Sequence, residues 1–294
     1  MVICRVIRKV FAGRLVLGGL FLLFLVGALF LLAYPGIVME TPFYFLRLSR
    51  VFMAFLIGSG LSLTAWFFQS ITRNPLTSEY TLGVSAAATF FAGLGFLLGF
   101  SSLTWGVMGG VGFSFVLFFV LFKKFSTNAL ILLGIAFNIF FSSGLMFFNY
   151  LTSFKISQNL SRWIFGGFSF YQPQELFLVL LVFLLLIVAL FYFAPQIILI
   201  SVSEIYEEIL RKNFKKAFMV LVFLSGVFIS LASAYAGPIP FFALLWAHLG
   251  RKIFKGNPFK TLIFCGAGGG FILALLDSLS RIINPIEEIP VGLS

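Results

Sequence analysis

The residues able to do chemistry are few and scattered. The 294-residue chain carries nine acidic side chains, 20 basic ones, one histidine and two cysteines. His248 stands alone, with no cluster of His, Cys or carboxylate at ligand spacing, so no metal centre is expected. Cys4 and Cys265 lie far apart; neither a disulfide nor a metal pair is expected, and Cys265 reads as small apolar filler. Ser, Lys and Asp side chains occur, but nothing in their spacing suggests an activated nucleophile, and no catalytic residue is assigned. There is no Gly-rich phosphate loop and no cofactor motif; if ATP drives this protein, another chain hydrolyses it. The one carboxylate inside a long apolar segment is Asp277, with Arg281 four residues on, the spacing of a helical ion pair. A structural Asp277–Arg281 pair is the leading reading and a proton-coupling carboxylate the sharper one.

The elements that must position these residues follow from composition. Hydrophobic residues make up 61% of the chain and charged residues 10%, where a soluble domain carries about 25% charged residues. Such a chain cannot cover its surface with polar groups, so that surface faces lipid. Apolar runs such as Leu15–Ala33 and Phe177–Ala194 are long and continuous, unlike the short alternating strands of a barrel. Helices satisfy their backbone groups within the segment. The expected fold is therefore an all-α polytopic membrane bundle, with spans near 15–33, 50–70, 82–100, 105–122, 128–149, 174–194, 217–236, 239–250 and 261–283. The first run exceeds the apolar core of a signal peptide and reads as a retained span. No second soluble domain or low-complexity linker interrupts the chain, so residues 1–294 read as one transmembrane domain.

Alternating sides from a cytoplasmic N-terminus puts 15 of the 20 basic residues on the inner side and leaves Arg47, Arg50, Lys155, Arg162 and Arg281 outside. This is the positive-inside pattern of a multi-pass inner-membrane protein. It accounts for the net charge of +11 without nucleic acid.

Two connections carry local signals. In Arg73-Asn74-Pro75-Leu76, leading through Thr77–Leu82 to Gly83-Val84-Ser85, Pro75 stops the preceding helix and Asn-Pro favours a turn, while Gly83 and Ser85 allow close packing. The inner connection over residues 195–216 begins at Pro195, expected to end the sixth span. From Ser203, a candidate N-cap, Glu204, Ile205, Glu208, Ile209 and Leu210 read as a short amphipathic helix with acids early and Arg211 and Lys212 late. By itself this could be a helix resting on the bilayer. Arg47, Arg50 and Arg281 could be interfacial anchors. Asn138, Ser142 and Ser143 are polar residues of the kind that pack helices together.

The turn resembles the RNPLA-x-P-x-LLGVS signature of the FecCD/BtuC-type ABC transporter permeases, which import iron siderophores, haem and cobalamin. The resemblance continues in order. Leu46–Arg50 is similar to I-R-L-P-R, Leu132–Asn138 to L-L-A-G-I-A-L-N, and Trp163–Gly167 to W-x-x-G-G/S. Ala236–Phe242 with His248–Arg251 is similar to A-G-P-I-G-F-V-G-L-I-V-P-H-L-A-R. Ala274–Arg281 and Glu288–Gly292 are similar to L-L-L-A-D-x-x-A-R and E-L-P-V-G. Ser49 and Ala247 stand where the family has proline, and Pro240 where it has glycine, so the short eighth span is expected to bend differently.

The resemblance implies a BtuC-like fold with ten helices, of which about nine are visible here and the last is missing. It implies a non-catalytic permease working with two ABC ATPase subunits, a second permease copy or paralogue, and a periplasmic or lipid-anchored substrate-binding protein. Carried over, Ile200, Ser201 and Ser203–Leu210 become the coupling segment for the ATPase. Arg47, Arg50 and Arg281 become docking residues for the binding protein, and Asn138, Ser142, Ser143 and Met146 line the pathway. The expected cargo is a metal chelate or cobalamin-like compound. An ion-coupled secondary transporter and a truncated, non-transporting membrane protein are the alternatives.

Overall fold

A computed structural model of the chain describes residues 41–99, 102–122, 127–151, 167–168, 175–202, 204–254 and 257–283. These form eight α-helices: α1 (Thr41–Thr72), α2 (Val84–Leu97), α3 (Ser102–Phe122), α4 (Thr127–Leu151), α5 (Leu176–Val202), α6 (Glu204–Ala236), α7 (Phe242–Ile253) and α8 (Pro258–Ile283). There are no strands among the described residues. Five stretches are long and apolar enough to cross a membrane: Leu48–Thr72, Ala129–Leu151, Leu176–Ser201, Phe218–Ala236 and Pro258–Ser280. Val84–Leu97 of α2 and Thr104–Val116 of α3 are shorter apolar stretches. The expected first span, 15–33, lies outside the described residues.

The helices form two groups joined by α6. In one, α1 packs against α8, α5 and α7; in the other, α2 packs against α3 and α4; α6 touches α1, α2, α3 and α5. The apolar length of α1 could face lipid, yet 94% of its most apolar stretch is buried, against 28% for α4 and for α5. α1 is thus enclosed by protein, and Met53, Ile57, Leu63, Trp66 and Phe67 along it are fully buried.

Small residues let α1 and α8 meet. Lipid tails are as apolar as a leucine side chain, so membrane helices associate through close packing and interhelical hydrogen bonds. Ser59 donates to the Gly266 carbonyl across this seam. A Cβ on Gly58 would stand 2.5 Å from the Gly269 carbonyl oxygen and 2.7 Å from the Leu273 Cβ. Neither backbone can yield without parting the helices.

Two helix boundaries differ from the sequence expectation. Pro195 does not end its span: α5 runs through it to Val202. Proline removes one N–H and crowds the preceding turn. Breaking the helix there would instead strand several backbone groups in an apolar environment. Beyond the proline, the buried Ile197 keeps α5 packed in the core. Glu204–Leu210 is likewise not a separate helix but the start of the 33-residue α6. Further along the chain, α7 is a regular 12-residue helix with Ala247 buried in its middle.

Replacing Gly58 by leucine is expected to cost at least the ~1–3 kcal/mol of an overpacked core, because the obstacle is backbone. Denaturation of the purified protein in mixed micelles should show the transition midpoint moving to lower SDS. A midpoint equal to that of the unaltered chain would mean that the seam is looser than described.

Candidate functional site

The turn between α1 and α2 is sealed by its own polar groups. Arg73 leaves α1 with φ 53°, in the left-handed region, and reverses the chain. The Asn74 Oδ1 accepts from the Leu76 amide at 2.9 Å, and the Asn74 carbonyl accepts from the Thr77 hydroxyl at 2.6 Å. The Thr72 and Thr77 hydroxyls share a hydrogen bond. Thr81 Oγ1 accepts from the Ser78 amide at 2.7 Å and lies 3.0 Å from the Leu76 carbonyl. Gly83, at φ 79°, then starts α2, and the amides of Val84 and Ser85 both donate to the Glu79 carbonyl. Pro75 and Leu76 are exposed at the tip, while Val84 and Ser85 are buried, with the Ser85 hydroxyl bonded to that of Ser233 on α6.

Two sides of this turn reach other helices. The Nε of Arg73 donates to the Ile200 carbonyl at 3.0 Å, near the end of α5. The last carbonyls of a helix have no partner within it, and a cation there also suits the helix dipole. On the other side, the Nδ2 of Asn138 on α4 donates to the Tyr80 carbonyl at 2.9 Å. Gly134, one turn earlier, lies against the turn's backbone: a Cβ there would stand 2.8 Å from Leu82 Cα.

Glu79 is the polar residue of this turn that sequence reasoning gave no role. Its side chain is only 2% exposed, and its Oε2 has no hydrogen-bond partner. Burial pushes its pKa up to about 8, with a backbone hydrogen bond acting the other way. The carboxyl is therefore largely neutral at pH 7. Its sequence signal was weak: an acid in a turn otherwise looks solvated.

The structure divides the four predicted pathway residues. Asn138 is buried and holds the turn, and Ser142 donates to Asn138 Oδ1 at 3.2 Å. Ser143 and Met146 lie instead on the exposed face of α4, in helical register with Ile135, Ile139, Phe147 and Tyr150. That face carries no charge.

Of the coupling segment, Ile200 receives Arg73, and the Ser201 hydroxyl donates to the Ile198 carbonyl at 2.7 Å. Ser203 lies outside the described residues, as do the side chains of Glu204, Ile205, Glu208, Ile209 and Leu210, although the backbone from Glu204 on is helical.

Asp277 pairs with Arg50 on the facing helix, a partner that its own sequence neighbourhood did not suggest. Arg50 Nη2 lies 2.9 Å from Oδ1 and donates there, and Nε donates to Oδ2 at 3.2 Å. Asp277 is fully buried and the Arg50 side chain is 14% exposed. A planar guanidinium on the facing helix can meet both carboxylate oxygens at once. The side chains of Arg281 and Arg47 lie outside the described residues. His248 is exposed on α7, and no group of His, Cys, Asp or Glu that could hold a metal occurs among the described residues.

A bundle of apolar helices, with a sealed turn tying the end of one span to the middle of another, is the framework of a membrane permease. The chain belongs to the FecCD transport family, whose model matches residues 38–294. It is 26% identical over 262 residues to the molybdate import system permease protein MolB of Haemophilus influenzae, covering 87% of this chain and 77% of that one. It is 29% identical over 255 residues to the vitamin B12 import system permease protein BtuC of Pectobacterium atrosepticum, covering 84% and 76%. The solved structure of a metal-chelate type ABC transporter in an inward-facing conformation superimposes with a TM-score of 0.83 at 26% identity, covering 96% of this chain and 94% of that one. The protein is thus a membrane-embedded, BtuC-like ABC transporter permease of the importer type.

Two outcomes test the site's electrostatics. The folded pKa of Glu79 lies above its ordinary 4.5, so between pH 4.5 and about 8 the folded state keeps a proton that the unfolded chain has lost. Stability should therefore fall as pH rises through that window and level off above it. Glu79→Gln should flatten this contribution and melt higher than the parent at pH 9; parallel melting curves from pH 5 to 9 would contradict the burial. Arg50→Ala should cost about 3–5 kcal/mol by stranding the Asp277 charge, read as lost folded yield on size exclusion. Arg50→Met combined with Asp277→Leu should recover much of that loss.

Proposed function

We propose that this permease moves a bulky metal chelate, an iron siderophore, haem or a cobalamin-like compound, across the inner membrane by ATP-driven alternating access. The observation that carries this reading is the uncharged exposed face of α4 bearing Ser143 and Met146. A chelate hides its metal's charge within its ligand and can slide along such a surface. A bare oxyanion such as molybdate would forfeit its hydration there with no cation or N–H cluster to replace it. The likeness to a metal-chelate type transporter supports the same choice.

In this reading the N-terminus is cytoplasmic and two ATPase subunits press on the inner face at Ile200–Leu210. A second permease copy or paralogue completes the pathway against α4, and a binding protein delivers cargo from outside. Arg47, Arg50 and Arg281 serve as the docking residues for that protein, with Arg50 held in place by Asp277. ATP hydrolysis belongs to the partner subunits, and the permease makes or breaks no bond.

One observation favours the ion-coupled alternative: Glu79 is a buried carboxyl poised to exchange a proton near neutral pH. It belongs to the sealed turn, whereas the uncharged face belongs to α4, and the importer reading is preferred for that reason.

Uptake assays in cells lacking their own systems separate these readings. Cells expressing the whole system should accumulate an iron siderophore, haemin or cyanocobalamin, and stop doing so when the ATPase's catalytic glutamate is replaced. Accumulation of molybdate alone would overturn the chelate assignment. Uptake by this chain alone in vesicles under a proton gradient, lost in Glu79→Gln, would overturn the ATP-driven mechanism.

A further inference from the structure

The Arg73–Ile200 contact joins two regions that function as so far described keeps apart. Arg73 is set by a left-handed backbone at the end of α1, and its Nε binds the Ile200 carbonyl two residues before the end of α5. A left-handed arginine is uncommon and is retained where surrounding contacts fix it. Here those contacts are the Asn74, Thr77, Ser78 and Thr81 hydrogen bonds that close the turn. The opposite side of the same turn is bound to α4 through the Tyr80 carbonyl and Asn138, and by the close approach of Gly134. Asn138 lies five residues before Ser143, about one and a half helical turns. A stiff body of eleven residues, 73–83, is thus fastened at one side to the α5–α6 junction and at the other to the helix with the uncharged face.

We infer that Arg73 is a positioning residue that carries displacement of the α5–α6 junction, through this sealed turn, to α4. The inference rests on the importer reading, in which the ATPase pushes on that junction. Movement there pulls on the Ile200 carbonyl. The charged donor resists stretching more than a neutral hydrogen bond would. The turn resists absorbing the displacement internally, because Asn74, Thr77, Ser78 and Thr81 are bonded to one another and to its backbone. The strain is passed to Tyr80 and Asn138, and α4 shifts. A relay of this kind needs a demonstrated coupling of the two sites and not mere adjacency.

The test uses the complex purified from membranes through a tag on this chain, with Cys4→Ser and Cys265→Ala removing the native thiols and Ser143→Cys as the reporter. Two quantities are measured: ATP hydrolysis, and the rate at which a water-soluble maleimide modifies residue 143, with and without MgATP plus orthovanadate. In the parent, nucleotide trapping should change the modification rate by about fivefold or more. In Arg73→Ala that change should shrink below about twofold while the complex still hydrolyses ATP. Arg73→Lys, which keeps the charge, should fall between. A merely structural arginine would lower hydrolysis and assembly together and leave the response of whatever complex remains intact.

Should Arg73→Ala not assemble, Asn138→Ala cuts the relay at its other end. It must likewise lose the response with hydrolysis retained, and a full response in that variant overturns the inference. So does a full response in Arg73→Ala, or a parent in which trapping leaves residue 143 unchanged; in either case the importer reading stands. If no ATPase accompanies the tagged chain, the importer reading itself fails, and the relay with it.

Discussion

Inside a bilayer a polar group has no water to fall back on, and this single constraint organises the molecule. Each backbone amide in hydrocarbon must find a partner in its own helix, and each polar side chain must bond to a neighbour or be excluded. Thr64, Ser70, Thr89, Ser114 and Ser230 obey this, returning their hydroxyls to carbonyls three or four residues back, while Ser62 and Ser225 are buried exceptions. The same constraint carries α5 through Pro195. It also makes Arg50–Asp277 an ion pair with both carboxylate oxygens engaged, because a half-met carboxylate at that depth would cost more than the pair returns.

Enclosure of α1 follows. A helix surrounded by protein can display glycine and serine towards one neighbour and polar groups towards another without facing lipid. α1 does both, meeting α8 through Gly58 and Ser59 and meeting α7 through Gln69 and Ser70, which receive Arg251 at 2.9 Å each. Arg251 also donates to the Trp66 carbonyl, so the C-terminal half of α1 is braced by a short helix that is itself amphipathic. α1 is therefore a fixed post, and Arg73 at its end stands on firm ground.

The existence of the helices was legible because apolar runs of twenty residues permit little else. The spans expected near 50–70, 128–149 and 261–283 fall within α1, α4 and α8. The turn at Arg73–Ser85 could be read from Asn-Pro and Gly83, whose φ of 79° few other residues tolerate. Partnerships between distant residues could not be read. Asp277 showed a candidate partner four residues away on its own helix, whereas Arg50 lies 227 residues off. Asn138 could be read from the residues alone only as a helix-packing polar side chain, its pathway role being what the family resemblance implies. Only the fold reveals that it points at the Tyr80 carbonyl. Glu79 was hidden for the opposite reason: acids in turns usually meet water, and its burial depends on how α2 packs behind it.

The division of labour on α4 is where the physical constraint meets transport. One side of this helix is used up in holding the turn: Gly134 gives the backbone room to approach, Asn138 donates the hydrogen bond, and Ser142 donates to the Asn138 Oδ1. What is left on the other side is uncharged, with flexible Met146 and aromatic Phe147 beyond Ser143 and the Tyr150 hydroxyl further on. Such a surface offers a cargo contact without a deep binding well. In the proposed chelate-importer reading, a strong site on the permease would hold the cargo after delivery and slow its release, which places selectivity on the delivering protein and drive on the ATPase. In that reading the permease supplies a helix that shifts as one body when pushed from the far end. A face stripped of charge and a back bonded to a stiff turn are the two properties that such a helix needs.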